Sequence, residues 1–202
     1  MNFLVVIVSY LLGSINFAYI TARIKGIDIS SEGSGNPGTS NVLRTLGKGS
    51  AAIVLLGDLL KGAIPIIFFY QDQYFLVYGL AAVVGHIYPV FYKFKGGKGV
   101  ATYLGVYVAT VFMNPYNSDL FNIEIFQILN IPVLAFFYFV VFKTTRVSAI
   151  ASLSTVLITV SLLIYINNEI SNVVVLVFLF VLILIKHSEN IKRLREGKEN
   201  KF

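Results

Sequence analysis

Three stretches of this sequence place glycine or small polar residues beside basic ones, in patterns suited to holding an anion. The first runs Gly33-Ser34-Gly35-Asn36-Pro37-Gly38-Thr39-Ser40-Asn41, followed by Arg44 and Lys48. Glycine admits positive φ and close approach of backbone to ligand. Successive N–H groups in such turns form an anion-binding concavity, and the planar fork of Arg44 suits phosphate. A flexible polar turn is the plainer alternative, but the density of donors favours a binding loop. The second stretch is Lys95-Gly96-Gly97-Lys98-Gly99. It is not a nucleotide-binding P-loop, because Tyr92 and Gly99 stand where that motif needs Gly and Ser or Thr. Two lysines and three glycines before a helix still suit a phosphate, since a helix N-terminus adds partial positive charge. Taken alone, the stretch fits a basic anchor on lipid headgroups equally well. The third contains His187, Asn190 and Arg193, which share one face if the helix continues through them; taken alone, it is an ordinary cationic helix end.

Smaller features accompany these. Asp58 and Lys61 are three apart inside an apolar run, where lone charges are costly, so they are expected to pair. His86 precedes Pro89, and core hydrogen bonding explains it as well as function does. Ser148 follows Arg146 at the start of another apolar run, within reach of a ligand held there. The three stretches together point to a phosphorylated, anionic substrate.

The elements that position them are membrane spans. Of the 202 residues, 56% are hydrophobic and 13% charged, too few charges to coat a soluble domain of this size. Cysteine is absent, which excludes disulfides, thiolate metal sites and a thiol nucleophile. The two histidines are too far apart in sequence to suggest a metal cage, so no metal site is expected. A crossing of about 30 Å takes roughly 20 helical residues. That ruler places spans near 2–22, 50–70, 74–92, 98–114, 124–142, 147–166 and 170–186, with 25–50 as one long functional loop. The run from Asn2 to Ala22 has no charge before it, and Arg23 and Lys25 follow it. This is the reverse of a cleaved signal peptide, so it reads as a retained span with its N-terminus outside. With seven spans so oriented, every Lys and Arg except Lys61 lies on the inner side, in three loops and the C-terminal tail. The outer loops hold Asp72, Asp119, Glu124 and Glu169. The positive-inside rule is met throughout. The expected fold is an all-α integral membrane protein of about seven transmembrane helices, forming a single domain over 1–202 with a cytoplasmic C-terminus.

Taken in order, these pieces resemble the bacterial acyl-phosphate:glycerol-3-phosphate acyltransferases, the PlsY family. The matching segments are G-S-G-N-P-G-T-S-N-V-L-R at 33–44 and D-L-L-K-G at 58–62, then G-H-I-Y-P at 85–89 and F-K-G-G-K-G-V-A-T at 94–102. R-V-S at 146–148 and H-S-E-N-I-K-R-L at 187–194 complete the set. The resemblance implies transfer of a fatty acyl group from acyl phosphate to the 1-hydroxyl of glycerol 3-phosphate, giving lysophosphatidate, with no cofactor and no metal. It implies the bacterial inner membrane, a site facing the cytoplasm and contact with membrane lipids. A soluble enzyme that forms the acyl phosphate is an implied supplier, and nucleic acid is no expected partner. Ser34, Arg44, Lys98, His187 and Asn190 are implied to be catalytic. Gly35, Asn36, Gly38, Asn41, Lys95, Gly96, Gly97 and Ser148 are expected to bind substrate. Arg44 and Lys98 would offset two anions brought together, and an acyl phosphate, already an activated anhydride, needs mainly positioning. The acceptor's own phosphate is implied to serve as base. The His-and-Asp motif of soluble-face acyltransferases is absent, since Phe91 and Lys192 stand five residues after His86 and His187.

The chain departs from the family pattern at Thr39-Ser40, at Lys186 and at Ser188, where Ala-Thr, Arg and Arg are usual. The rival reading is a transporter of a phosphorylated solute. Transporters bind near the bilayer midplane on broken helices, whereas these donors gather on one side, with only Asp58 and Lys61 deeper.

Overall fold

A computed structural model of the chain describes residues 1–113, 123–167 and 169–202, and of residues 123–127 the backbone alone. The expected span end at 114, the outer loop with Asp119 and the Glu124 side chain lie outside the described residues. All described regular structure is helical, and it forms two compact units, 1–106 and 107–202.

In the first unit, α1 (Phe3–Gly13) and α2 (Phe17–Ile24) are one apolar run interrupted at residues 14–16. The Asn16 side chain accepts from the N–H groups of Ala18 at 3.0 Å and Tyr19 at 3.1 Å. That caps α2 and starts a new helix where the sequence looks continuous. Next come α3 (Thr39–Phe69), α4 (Phe75–Ile87), a 3-10 turn (Val90–Tyr92) and α5 (Val100–Met113), whose first half belongs to this unit. Gly47, at φ 81° and ψ 177°, breaks α3 into a short segment carrying Arg44 and a long apolar one. The expected loop over 25–50 is therefore helical from Thr39. Extended Gly38 opens the helix, and Val42, Leu43 and Leu46 pack it against Ala18, Ala22 and Ile29. Tertiary burial overrides the weak helix signal of a stretch rich in glycine and small polar residues.

Glycines bring these helices into backbone contact. A Cβ on Gly13 would collide with the Ala82 backbone and one on Gly85 with the Tyr10 carbonyl, at the crossing of α1 and α4. Gly62 against Thr102 and Gly105 against Leu59 do the same for α3 and α5. Small-residue crossings are how helices associate where lipid removes the hydrophobic drive.

The second unit holds the rest of α5, then α6 (Ile123–Thr145), α7 (Ser148–Ile166), α8 (Ile170–Lys186) and α9 (Ser188–Arg195). α7 packs against both α6 and α8. Arg146, at φ 56°, makes the tight turn from α6 to α7. Buried Thr155 and Thr159 return their hydroxyls to the carbonyls of Ala151 and Thr155, both at 2.8 Å, so α7 leaves neither hydroxyl unsatisfied.

Large apolar side chains face outward along these helices, among them Phe3, Leu56, Phe68, Phe136 and Val174, as expected where lipid is the solvent. Among the described residues, five helical segments are long and apolar enough to cross a membrane. A sixth is counted if α8 and α9, bent by 52°, form one span. α5, on the expected fourth span, has 14 residues, about 21 Å at 1.5 Å per residue. The expected continuous face through His187, Asn190 and Arg193 needs correction. The helix ends at Lys186, His187 sits at φ −100° and ψ 4°, and α9 starts in a new direction.

Candidate active site

The expected site residues fall into two sets, each gathered at one end of its own unit. In the first unit, the segment before α3 turns on Gly33 and Gly35, at φ 58° and 68°. A Cβ on Gly33 would strike the Asn41 side chain, and one on Gly35 would sit 2.9 Å from the Ser30 carbonyl oxygen. Asn41 organises this segment from the first turn of α3. Its side-chain oxygen accepts the Ser34 N–H at 2.8 Å, and its amide donates to the Glu32 carbonyl at 2.9 Å and the Ile29 carbonyl at 3.4 Å. Asn41 is buried, so it shapes the loop, while Ser34 is exposed and Gly35, Asn36 and Gly38 are half-buried. At the foot of the segment, Asp28 accepts from the Ser30 hydroxyl at 2.7 Å and the Ser30 N–H at 3.0 Å. Those bonds hold its carboxyl below the usual carboxylate range. Arg44 follows on the short helical segment, half-buried.

The second loop is held by backbone bonds to the 3-10 turn and to the end of α4. Phe94 N–H donates to the Pro89 carbonyl at 3.0 Å, Lys95 N–H to Tyr92 at 3.0 Å and Gly97 N–H to His86 at 3.2 Å. Lys93 and Phe94 both have positive φ, 52° and 60°, a cost borne where surrounding contacts over-determine the turn. Tyr92 stacks on Tyr19 of α2 with centroids 4.7 Å apart. Gly96 and Gly97 have no room for side chains. A Cβ on Gly96 would enter the His86 carbonyl and lie 2.7 Å from that of Ile87, and one on Gly97 would enter the His86 imidazole. The Gly97 Cβ would also lie 3.0 Å from the Pro37 carbonyl oxygen. That contact joins the two loops. It brings Ser34–Gly38 and Lys95–Lys98 to one end of the unit, with Lys98 half-buried and Lys95 exposed.

In the second unit, buried His187 and Asn190 bracket the α8–α9 bend. His187 Nδ1 lies 2.8 Å from the Ile183 carbonyl. A carbonyl only accepts, so Nδ1 carries hydrogen and Nε2 is left as acceptor in the neutral ring. Asn190 donates to Glu199 Oε1 at 2.7 Å and Arg193 to Glu199 Oε2 at 2.9 Å. Phe202 closes the tail, with its N–H on the Arg146 carbonyl at 3.0 Å and its ring edge-on to Phe142. Ser148, half-buried, begins α7 two residues beyond Arg146. Glu199 carried no signal in the sequence, being one charge in a charged tail. Replacing it with alanine strips buried Asn190 of an acceptor and Arg193 of its carboxylate partner, at a cost of about 1–3 kcal/mol. The expected result is a lower thermal unfolding midpoint in detergent, with loss of activity in proportion.

A family model described as glycerol-3-phosphate acyltransferase matches residues 3–197 of the chain. A glycerol-3-phosphate acyltransferase of Aquifex aeolicus is 40% identical over 207 residues, covering 98% of this chain and 97% of that one. One of Shewanella loihica is 40% identical over 201 residues, covering 97% and 90%. Among solved structures, the glycerol 3-phosphate form of PlsY, an integral membrane glycerol 3-phosphate acyltransferase, superposes with a TM-score of 0.84. It is 34% identical and covers 99% of this chain and 94% of that one. The lysophosphatidic acid form superposes with a TM-score of 0.76 at 36% identity.

Proposed function

The chain belongs to the glycerol-3-phosphate acyltransferase family, and from that premise we propose how its residues carry out the acylation. The enzyme transfers a fatty acyl group from an acyl phosphate to the 1-hydroxyl of glycerol 3-phosphate. The hydroxyl oxygen bonds to the acyl carbon, the bond from that carbon to the phosphate oxygen breaks, and lysophosphatidate and inorganic phosphate leave. The hydroxyl proton passes to a phosphate oxygen, which is basic enough to take it as the new bond forms. The observation that carries this reading is the meeting of the two glycine loops at Gly97 and Pro37. One end of the unit thereby brings the Ser34 and Lys98 loops together, and Arg44 follows on the first segment of α3. Two phosphorylated reactants repel each other, and two fixed cations lower that penalty most where their charges meet in the transition state. Ser34 and the amides of Gly35, Asn36 and Gly38 supply neutral donors. In the second unit, His187 and Asn190 are assigned to orienting the hydroxyl or the carbonyl and Ser148 to binding substrate, as the resemblance implies.

In this reading the chain is one membrane domain crossing the bilayer seven times, with α5 as a short crossing. The N-terminus is outside, and the basic loops and C-terminus lie on the cytoplasmic side of the bacterial inner membrane. A soluble enzyme supplies the acyl phosphate. The deciding experiment gives purified protein, in detergent or lipid cubic phase, an acyl phosphate and glycerol 3-phosphate. Release of inorganic phosphate with formation of lysophosphatidate is expected. Product no higher than a boiled control rejects the reading.

A further inference from the structure

Asp58, Lys61 and His86 form a cluster at the centre of the first unit, with relative exposures of 2%, 1% and 3%. None of them belongs to the loops described above. Lys61 Nζ lies 2.8 Å from Asp58 Oδ1 and donates to the Ile15 carbonyl at 2.9 Å, at the break between α1 and α2. His86 Nδ1 lies 3.5 Å from the same Asp58 oxygen. Ionised side chains inside a membrane domain are costly, and a pair that only held helices together could be replaced by apolar packing at no loss. The far edge of the imidazole shows what else this cluster touches. His86 Nε2 fills the space that a Gly97 side chain would take, and the His86 carbonyl accepts the Gly97 N–H at 3.2 Å. One residue further along is Lys98, and the Pro37 carbonyl meets the same face of Gly97 as the imidazole does.

We propose that His86 is a positioning residue for the acyl transfer, held by the buried Asp58–Lys61 pair and setting the height of Gly97 and hence the spacing between the two phosphate-holding loops. The carboxylate stands 3.5 Å from the ring's Nδ1 side. The ring's Nε2 edge then forms, with the Pro37 carbonyl, the floor that meets one face of Gly97. A floor that sinks lets Lys98 and the loop amides drop away from the phosphate they hold, so substrate binding and transition-state stabilisation fall together. This rests on the acyl-transfer reading.

Two substitutions separate the edges of the ring. A glutamine amide reaches the place of Nε2, whereas an asparagine amide reaches only that of Nδ1 and leaves the space under Gly97 empty. His86→Gln is expected to keep kcat/KM for glycerol 3-phosphate and for acyl phosphate within about threefold. His86→Asn is expected to lower kcat/KM for at least one of them about tenfold or more. The amount of folded protein and its melting midpoint are measured beside the kinetics. An asparagine variant that matches the glutamine one, or whose whole defect is lost folded protein, overturns the proposal. If neither variant accumulates, Asp58→Asn decides. A lowered kcat/KM in folded protein supports the positioning role, and loss of folded protein alone reduces the cluster to a structural staple. Should the unsubstituted protein show no turnover, the acyl-transfer reading fails on its own. Thermal stabilisation by glycerol 3-phosphate then still has to rank His86→Gln above His86→Asn.

Discussion

Arg44→Ala is expected to lower the rate of lysophosphatidate formation at saturating substrates by about 10²- to 10³-fold, the usual consequence of removing one preorganised donor aimed at developing charge. Arg44 stands on a short helical segment with few ways to move. Val42 and Asn41 are buried beneath it, Gly38 opens it and Gly47 ends it. In the proposed role a guanidinium carried on so fixed a segment would meet two phosphate oxygens with little reorganisation, and none of that is available to a methyl group. Arg44→Lys restores the charge but not the fork, so it is expected to recover only part of the loss. Because Arg44 is half-buried, the alanine variant should accumulate and melt close to the unsubstituted protein. Phosphate release and melting midpoint measured together check this. Turnover within about threefold of the original would remove Arg44 from the chemistry.

Gly96→Ala is expected to be as damaging by a different route. Its new methyl group would meet the carbonyls of His86 and Ile87 and the Pro89 ring. Two of these three neighbours are backbone of α4, which cannot swing aside as a flexible side chain can. The loop itself must move, and a displacement of about 1 Å at a positioning element costs roughly 10²-fold. Gly49→Ala is the matched control. Nothing lies within 4 Å of its added Cβ, it sits in a helix, and alanine there is neutral to mildly stabilising. Activity of both variants in one membrane preparation is the measurement. Equal activities would mean that the 95–99 loop tolerates movement and does not set the geometry.

What the sequence could show follows from which forces it records. Long apolar runs record the solvent, so the helical membrane fold and most of the span positions were readable. The breaks at residues 14–16, at Gly47 and at His187 were not. Each depends on a local device, such as the Asn16 cap or a left-handed glycine, inside a stretch whose average hydropathy or polarity points the other way. The candidate site stands in the sequence only as residue types near one another: Ser34, Arg44, Lys98, His187 and Asn190 lie in dense motifs. Their packing was not legible. Asn41 is expected from its neighbours to bind substrate, yet its amide is spent on the backbone at Ile29, Glu32 and Ser34. Glu199 reaches Asn190 and Arg193 only because the tail folds back on α9, and the link from Asp58 through His86 to Gly97 joins separate helices; no spacing rule encodes either.

The left-handed glycine inside α3 bears on how this enzyme meets bilayers of different thickness. A span longer than the hydrocarbon layer accommodates by tilting, and a rigid rod carrying Arg44 at its tip would sweep that guanidinium sideways with every degree. At Gly47 the rod is jointed. The turn that bears Arg44 packs on Ala18, Ala22 and Ile29, a cluster that Ala51 and Val54 of the long segment also join, so a change of tilt would be taken up at the joint before it moved the cation.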